Sequence, residues 1–445
     1  MDTTQFILFT APGLRVRDIQ PLTTPTLHAW ANAGGITELV PAFPCVTSPV
    51  QASIMTGEPP SRHGVIANGF YHRDRHEVEF WTSPNSVVHG QPIWEALRAA
   101  NSALTSAVWH VQNIKEATAD FIVTPAPIHH PDGRTELWCY SRPANLYPQL
   151  LESFGHFPLQ NYWGPLAGIA STEWILEAAA WLIERHAPRF HWIYLPHLDY
   201  AAQKFGPDSA EARSALVELD AALAEFVQHI ERLGLARDIT YLVAGEYALT
   251  DVTGVVYPNR LLRQAGLLQV VERDGAEYID FEASRAFAMV DHQFAHVFVQ
   301  GGETVLEQAR EALQGVSGIQ GLFSGAERVA VGLDHPRSGE IILIAREDHW
   351  LAYYWWLDDR AAPPFTRTVD IHRKPGYDPV ELFFDPQSKA IPLRPSLVKG
   401  SHGVPATQAR HRTALLCSRP THRLSEGQLV RDTHLKRMVL ELLAG

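Results

Sequence analysis

The sequence predicts an α/β fold with a central, mostly parallel β-sheet flanked by helices and a smaller, inserted α+β subdomain. Short apolar runs typical of buried strands alternate with amphipathic helices, and the runs end in polar loops. From about residue 268 this alternation gives way to hairpin signals such as Arg273-Asp274-Gly275. We therefore assign residues 1–254 and 386–445 to the core and residues 255–385 to the inserted subdomain.

The first third of the chain shows the alternation most clearly. The predicted strands are 6–10, 36–42 and 107–111, and the predicted helices are 24–33 and 91–100. Residues 114–163, in contrast, are rich in Pro, His, Tyr and Trp and lack periodicity. We interpret them as a lid-like loop region within the core.

The later core elements place four polar loops at one edge of the sheet. Helices are predicted at 172–185, 210–233, 259–266 and 426–443, and strands at 191–195 and 239–244. Because the carboxyl ends of parallel strands meet at the same edge, the loops after Thr10, around Thr47, at 197–203 and at 245–247 should converge there. We expect the functional site at this edge.

Composition excludes several classes of protein. The chain has 445 residues, with 46% hydrophobic and 19% charged residues, which is typical of a soluble globular protein. A net charge of −12 argues against a nucleic-acid polymer as partner. The three cysteines lie far apart, and the sequence shows neither a signal peptide nor a membrane-length apolar run. We expect a cytoplasmic protein with no membrane partner, and a homodimer is left open.

The stretch from Phe43 to Asn68 contains the first candidate catalytic residues. Thr47 lies where the strand 36–42 gives way to a helix of small residues. The free N–H groups of a first helical turn can stabilise negative charge on a nucleophile or a phosphate. A threonine at such a junction can equally be a helix cap, and these residues alone leave both interpretations open.

The motif Thr-Ser-Pro-Val-Gln-Ala-Ser-Ile-Met-Thr-Gly, followed by Pro-Pro-Ser-Arg-His-Gly-Val-Ile-Ala-Asn-Gly, resembles the alkaline phosphatase superfamily. Within it, the similarity is to the nucleotide pyrophosphatase/phosphodiesterase and phosphonoacetate hydrolase branch. The resemblance implies an alkaline-phosphatase-like fold and a small phosphorylated or phosphonate substrate. It further implies that Thr47 is the nucleophile and that Asn68 holds a non-bridging phosphoryl oxygen.

The resemblance also implies positions for the ligands of two metal ions, which activate the nucleophile and neutralise phosphoryl oxygens. One ion would take Asp199, His402 and position 203, but position 203 is Gln203 instead of His. The other would take an Asp at position 12, which is Pro12, and an Asp-His pair that is here Glu246-Tyr247.

These departures disfavour a two-zinc site and leave three interpretations open. In the first, Asp199 and His402 hold a single divalent ion together with Gln203 or Glu246. Amide and carboxylate oxygens shift the preference from Zn²⁺ toward Mn²⁺ or Mg²⁺.

In the second interpretation the site contains no metal, and donors such as Tyr247, His197 or Arg373 replace the cation. The reaction could then be other than phosphoester hydrolysis. In the third, the fold serves only to bind a ligand or act as a scaffold. In a further segment, 370–379, His372, Arg373 and Lys374 could bind an anionic group, although a solvated basic turn explains the segment equally well.

The sequence therefore predicts a hydrolase of a phosphodiester, pyrophosphate or phosphonate bond with a Thr47 nucleophile and a single-metal site. The alternative is a metal-free, divergent member that uses the same pocket for another reaction or for binding only. The pair His292 and His296 has the spacing of zinc ligands on a helix. Because the flanking residues have the pattern of strands, we do not interpret the pair as a metal site.

Overall fold

A computed structural model describes residues 5–82, 84–130, 135–234, 239–421, 424 and 429–444 of the chain. Within these residues the predicted fold class is confirmed, because a large, mostly parallel sheet is flanked by helices and a smaller sheet follows later in the chain. The predicted core elements are observed with ends shifted by at most three residues, apart from the last helix and the region 114–163.

The strands of the described residues are numbered along the chain. They are β1 (Gln5–Thr10), β2 (Ile36–Val40), β3 (Gly69–His72), β4 (Glu77–Phe80), β5 (Ser106–Trp109), β6 (Phe121–Pro125), β7 (Ile128–His129), β8 (Thr135–Glu136), β9 (Cys139–Arg142), β10 (Phe190–Tyr194), β11 (Ile239–Ala244), β12 (Thr250–Asp251), β13 (Gly254–Val256), β14 (Val270–Arg273), β15 (Ala276–Ile279), β16 (Ala286–Asp291), β17 (Phe294–Val299), β18 (Ile319–Ser324), β19 (Ile341–Ala345), β20 (His349–Leu351), β21 (Gly400–Ser401), β22 (Thr413–Cys417) and β23 (Val430–Arg431).

The α-helices of the described residues are numbered in the same way. They are α1 (Pro25–Gly34), α2 (Thr47–Thr56), α3 (Pro60–His63), α4 (Ile93–Ala100), α5 (Leu146–Phe154), α6 (Leu159–Tyr162), α7 (Ile169–His186), α8 (His197–Phe205), α9 (Ala210–Arg232), α10 (Pro258–Gln264), α11 (Glu303–Leu313) and α12 (Leu435–Ala444). None of them is both long and apolar enough to cross a membrane.

The main sheet has the strand order β23-β2-β22-β11-β1-β10-β5-β6-β9. The central strand β1 pairs in parallel with β10 and β11, and Thr10 is level with both Tyr194 and Ala244. These three strands therefore end at the same edge, as the sequence predicted. The loops that follow them lie side by side, and one of them leads directly into α8.

Both faces of the sheet are covered, which explains the continuous apolar run of β1. Ile7 and Phe9 pack in one hydrophobic cluster with residues of α7 and α9, whereas Phe6 and Leu8 pack in another with residues of α2, α4 and α12. Successive side chains of a strand point to opposite faces, so a strand buried on both sides needs apolar residues at every position.

Two sequence-based predictions are corrected. Residues 114–163 contain β6 and β9, which pair antiparallel at the edge of the main sheet, and also α5 and α6, so the segment is not a continuous loop. A lid-like role of the segment stays a prediction. These strands are short, and pairing within the sheet, not periodicity, defines them. The last helix begins at Leu435, after β23 and a 3₁₀ turn, while residues 426–428 of its predicted span lie outside the described residues.

The second sheet has the order β16-β17-β19-β18 and lies, with α10 and α11, inside residues 255–385. Strands β16, β17 and β19 are buried, mostly in a separate hydrophobic cluster that also includes residues of β3 and β4, whereas β18 is partly exposed. The ring of Tyr71 in β3 lies 4.7 Å from that of Phe287 in β16, measured between centroids. The boundaries 255–385 of the subdomain stay a prediction.

Asp432 anchors the chain where it leaves β2 toward Thr47. One carboxylate oxygen, Oδ2, accepts a hydrogen bond from the backbone N–H of Ala42 at 2.7 Å. The side chain is buried, and this desolvation raises the pKa of Asp432 to about 7. The folded protein therefore holds a proton on Asp432 at pH values where the unfolded chain has released it.

We predict that this difference makes stability depend on pH. Since the native pKa lies above the ordinary value near 4, the free energy of unfolding should fall as pH rises from about 4 to 7, by at most ~1.4 kcal/mol per pH unit. Asp432→Asn should remove this contribution. Denaturant titrations at four pH values should show the stability advantage of wild type over the variant shrinking across that window, and parallel pH profiles would contradict the assignment.

Candidate active site

Thr47 is the first residue of α2 and does not cap it. Val46 occupies the N-cap position in extended conformation, and its own side chain forms no cap hydrogen bond. The Thr47 hydroxyl instead lies 3.2 Å from the hydroxyl of Tyr247. Of the two interpretations that the sequence left open, the cap is therefore excluded, and the hydroxyl is held in a buried polar contact at a helix N-terminus.

Asn68 supplies the missing cap from another loop. Its side-chain oxygen accepts a hydrogen bond from the backbone N–H of Ser48 at 2.9 Å. The amide nitrogen donates to Oδ1 of Asp291 at 3.1 Å, and the backbone N–H of Asn68 donates to Oδ2 of the same residue at 2.8 Å. An amide carries two N–H groups, so one stays available to a ligand next to Thr47.

Asp291 holds this arrangement together, and sequence reasoning did not identify it as a site residue. It is fully buried, and in addition to Asn68 its Oδ1 accepts a hydrogen bond from Nδ1 of His292 at 2.7 Å. Desolvation raises the pKa of Asp291 to about 6. The sequence feature that could have identified it is an Asp-His pair between two strongly apolar stretches. A carboxylate buried there needs hydrogen-bond partners.

Asp199 and His402 meet at the edge of the sheet, as predicted. Nδ1 of His402 donates to the backbone carbonyl of Cys45 at 2.8 Å, which leaves its Nε2 facing Oδ1 of Asp199 at 3.9 Å. Neither of these two buried atoms has a hydrogen-bond partner within the part of the chain that the structure describes. Gln203, one helical turn after Asp199 in α8, donates to Oδ2 of Asp199 at 2.6 Å and accepts from the Tyr377 hydroxyl at 2.9 Å.

Glu246 and Tyr247 follow β11 and contact the same face of α2. Gln51, which lies four residues after Thr47 in α2, donates a hydrogen bond to Oε1 of Glu246 at 2.6 Å. Oε2 of Glu246 has no hydrogen-bond partner among the described residues. Desolvation raises the pKa of Glu246 to about 8 and that of Asp199 to about 7. In the absence of a cation, Glu246 is therefore mostly protonated near neutral pH, and Asp199 is about half protonated.

Four aromatic rings form a buried column beside these carboxyl groups. Tyr247 stacks on His402 with 3.6 Å between ring centroids, His402 lies 3.8 Å from His292, and His292 stacks on Tyr377 at 3.5 Å. Desolvation lowers the pKa of both histidines and raises the pKa of both tyrosines, so all four rings are neutral.

Two of the side chains predicted to hold a metal ion face each other. Asp199 Oδ1 and His402 Nε2 are buried 3.9 Å apart, and neither has a hydrogen-bond partner among the described residues. For a second ion, Pro12 has no side-chain donor and the Tyr247 hydroxyl is bound to Thr47. No group of three or more His, Cys, Asp or Glu side chains within the described part of the chain is placed to hold a metal.

The other predicted site residues are not joined to Thr47. His197 Nε2 pairs with Glu218 of α9 at 2.8 Å, so it faces the neighbouring helix. His372 and Arg373 are exposed, and Arg373 pairs with Asp370. Lys374 is buried between Asp378 at 2.9 Å and Glu381 at 2.6 Å. Carboxylates close in sequence bind the cations of segment 370–379, so these side chains do not extend to the sheet edge.

Comparison with solved structures shows the class of protein that this fold defines. Phosphonoacetate hydrolase from Sinorhizobium meliloti in complex with phosphonoacetate superposes with a TM-score of 0.66 at 16% identity, covering 100% of this chain and 96% of that one. Murine ectonucleotide pyrophosphatase/phosphodiesterase 5 gives 0.64 at 13% identity, covering 99% and 95%. An inactive Thr-to-Ala variant of the murine protein was solved in complex with AMP. The fold is that of the alkaline phosphatase superfamily.

Within this superfamily the chain belongs to the type I phosphodiesterase/nucleotide pyrophosphatase family, whose family model matches residues 6–378. A pyrophosphatase/phosphodiesterase of Schizosaccharomyces pombe is 22% identical over 263 residues, covering 58% of this chain and 46% of that protein. Ectonucleotide pyrophosphatase/phosphodiesterase family member 1 of Mus musculus is 23% identical over 271 residues, covering 60% and 26%. The matched segments thus span less than half of these curated relatives.

We predict that Asp291→Asn destabilises the protein through the site. The new amide group turns a donor toward the N–H groups of Asn68 or His292, so at least one buried polar group loses its partner. We expect the free energy of unfolding to fall by about 3 kcal/mol. Denaturant unfolding followed by tryptophan fluorescence measures this, with Glu311→Gln on the exposed face of α11 as control. Equal losses in both variants would contradict the role of Asp291.

Proposed function

We propose that this protein hydrolyses a phosphodiester, pyrophosphate or phosphonate bond, with Thr47 as the nucleophile. The observation that carries the proposal is the position of the Thr47 hydroxyl. It lies at the N-terminus of a buried helix, is not used as a cap, and contacts Tyr247 at 3.2 Å. The N–H groups of a first helical turn favour a bound phosphoryl group at this point.

In this proposal Thr47 and Asn68 share the work on the phosphoryl group. The Thr47 oxygen forms a bond to phosphorus while the bond from phosphorus to the leaving group breaks, and the hydroxyl proton passes to the leaving group. Water then hydrolyses the phosphothreonine: its oxygen goes to phosphorus and one of its protons returns to Thr47. The free N–H of the Asn68 amide donates to a non-bridging oxygen. Its direction is set because the carbonyl end of the same amide binds Ser48 and the nitrogen end binds Asp291.

We further propose that Asp199 and His402 hold one divalent ion. Their two unpaired atoms, 3.9 Å apart, support this, and Gln203 orients Asp199 from the next turn of α8. When bound, such an ion neutralises the charge of phosphoryl oxygens. Ionisation of Asp199, which burial otherwise opposes, would be favoured by the same ion.

The substrate class follows from the charge of the site and from relatives. The AMP and phosphonoacetate complexes of the structural neighbours support a small phosphorylated or phosphonate substrate for this chain as well. The rings beside Thr47 are neutral and burial keeps the Glu246 carboxyl group mostly protonated, so these groups do not repel an anion.

A metal-free function is the second candidate, and Tyr247 favours it. The phenol binds the threonine hydroxyl directly and stacks on His402, the histidine proposed to hold the ion. A protein of this kind would bind a ligand in the same place or catalyse another reaction there. Metal content and the effect of replacing Thr47 separate the two functions.

We predict that Thr47→Ala abolishes turnover. With bis(p-nitrophenyl) phosphate as substrate, the variant should lose at least ~10³-fold in kcat, because the nucleophilic oxygen is gone. Thr47→Ser keeps that oxygen and should retain measurable activity. Thr304→Ala, on the exposed side of α11, is the matched control and should behave as wild type. Equal rates for wild type and Thr47→Ala would remove the hydrolase proposal.

We also predict one divalent ion per chain. Purified protein should carry close to one equivalent of zinc, manganese or magnesium by elemental analysis, and dialysis against a chelator should remove it along with the activity. Asp199→Asn and His402→Ala should each bind far less. Wild type that hydrolyses the substrate with no bound ion after chelation would contradict the single-metal site and support the metal-free function.

A further inference from the structure

Tyr247 is held more rigidly than a side chain that only fills space. Its ring is parallel to that of His402 within 8° at a centroid distance of 3.6 Å. His402 is itself fixed by the Cys45 carbonyl. The backbone carbonyl of Tyr247 accepts the N–H of Gly13 at 2.8 Å, which ties the tyrosine to the loop after β1. The phenol therefore has one orientation, and in that orientation its hydroxyl reaches Thr47.

Thr47 needs such a partner because its own hydroxyl is not fixed by the helix. A threonine side chain has three staggered rotamers, and in a helix it occupies two of them, since the hydroxyl can bond a carbonyl of the preceding turn. At the first position of α2 no preceding helical turn is present. The contact at 3.2 Å with Tyr247 is the one hydrogen bond that the described residues provide for this hydroxyl.

No charged side chain of the described residues forms a hydrogen bond with the Thr47 hydroxyl. Glu246, which precedes Tyr247, binds Gln51 instead. Burial raises the pKa of Tyr247 well above its ordinary value, so the phenol stays neutral and acts through its hydrogen bond.

We propose that Tyr247 is the positioning residue of the reaction: its hydroxyl holds the Thr47 oxygen in the rotamer that faces the substrate. This inference rests on the proposed function, in which Thr47 attacks phosphorus. A nucleophile confined to one rotamer does not lose entropy on reaching the transition state, and misplacement by about 1 Å can lower a rate by 10²-fold. Tyr247 thereby orients the nucleophile without the help of a second cation.

Tyr247→Phe tests this, because it deletes the hydroxyl and keeps the ring on His402. With bis(p-nitrophenyl) phosphate we expect kcat to fall about 10- to 100-fold while KM changes less than about twofold. The melting temperature should stay close to that of wild type. Tyr241→Phe is the matched control: Tyr241 is a buried tyrosine of β11 that stacks on Trp30, and its hydroxyl has no hydrogen-bond partner among the described residues. This variant should leave kcat unchanged.

A second readout is independent of turnover. In crystals of Tyr247→Phe, the Thr47 side chain should occupy more than one rotamer, whereas wild type should show a single one. An unchanged kcat, or a single unchanged Thr47 rotamer in the variant, overturns the positioning role. If wild type and Thr47→Ala hydrolyse the substrate equally slowly, the proposed function fails, and the Thr47 rotamers alone then decide whether Tyr247 orients the hydroxyl.

Discussion

The site depends on the buried carboxylate of Asp291. Removing a carboxylate from water costs several kcal/mol unless hydrogen bonds replace the lost hydration. Here the replacement comes from both nitrogens of Asn68 and from His292. Because Asp291 ends β16 of the second sheet and Asn68 precedes β3, the requirement to satisfy one charge fixes how the second sheet meets the loop beside Thr47.

The effect of that carboxylate extends to the helix of Thr47 by way of Asn68. The amide of Asn68 spans the gap between Asp291 and the N–H of Ser48, so the start of α2 is capped from a distant loop. Capping by another segment leaves the hydroxyl at the helix start free for other contacts. Because Asn68 satisfies both the buried Asp291 carboxylate and the N–H of Ser48, the Thr47 hydroxyl is not needed as a cap.

Charge neutrality distinguishes the rest of the site. The column from Tyr247 to Tyr377 consists of neutral rings, and the nearby carboxyl groups of Asp199 and Glu246 have pKa values raised by burial. The sequence suggested that basic side chains of segment 370–379 bind an anion. In the structure, Lys374 of this segment is instead paired with Asp378 and Glu381. Under the proposed function, recognition of an anion would depend on N–H donors and on one bound cation.

The sequence by itself determined the α/β fold, the strand edge where the loops meet, and the candidates Thr47, Asn68, Asp199 and His402, because these follow from local patterns and a specific motif. Only the tertiary structure showed that Asp291 and Tyr247 organise the site and that 114–163 adds strands to the sheet. The reason is distance along the chain. Asp291 lies 223 residues from Asn68 and Tyr247 lies 200 residues from Thr47. Packing of the whole chain decides which buried donor meets which acceptor. Local sequence patterns do not encode this packing.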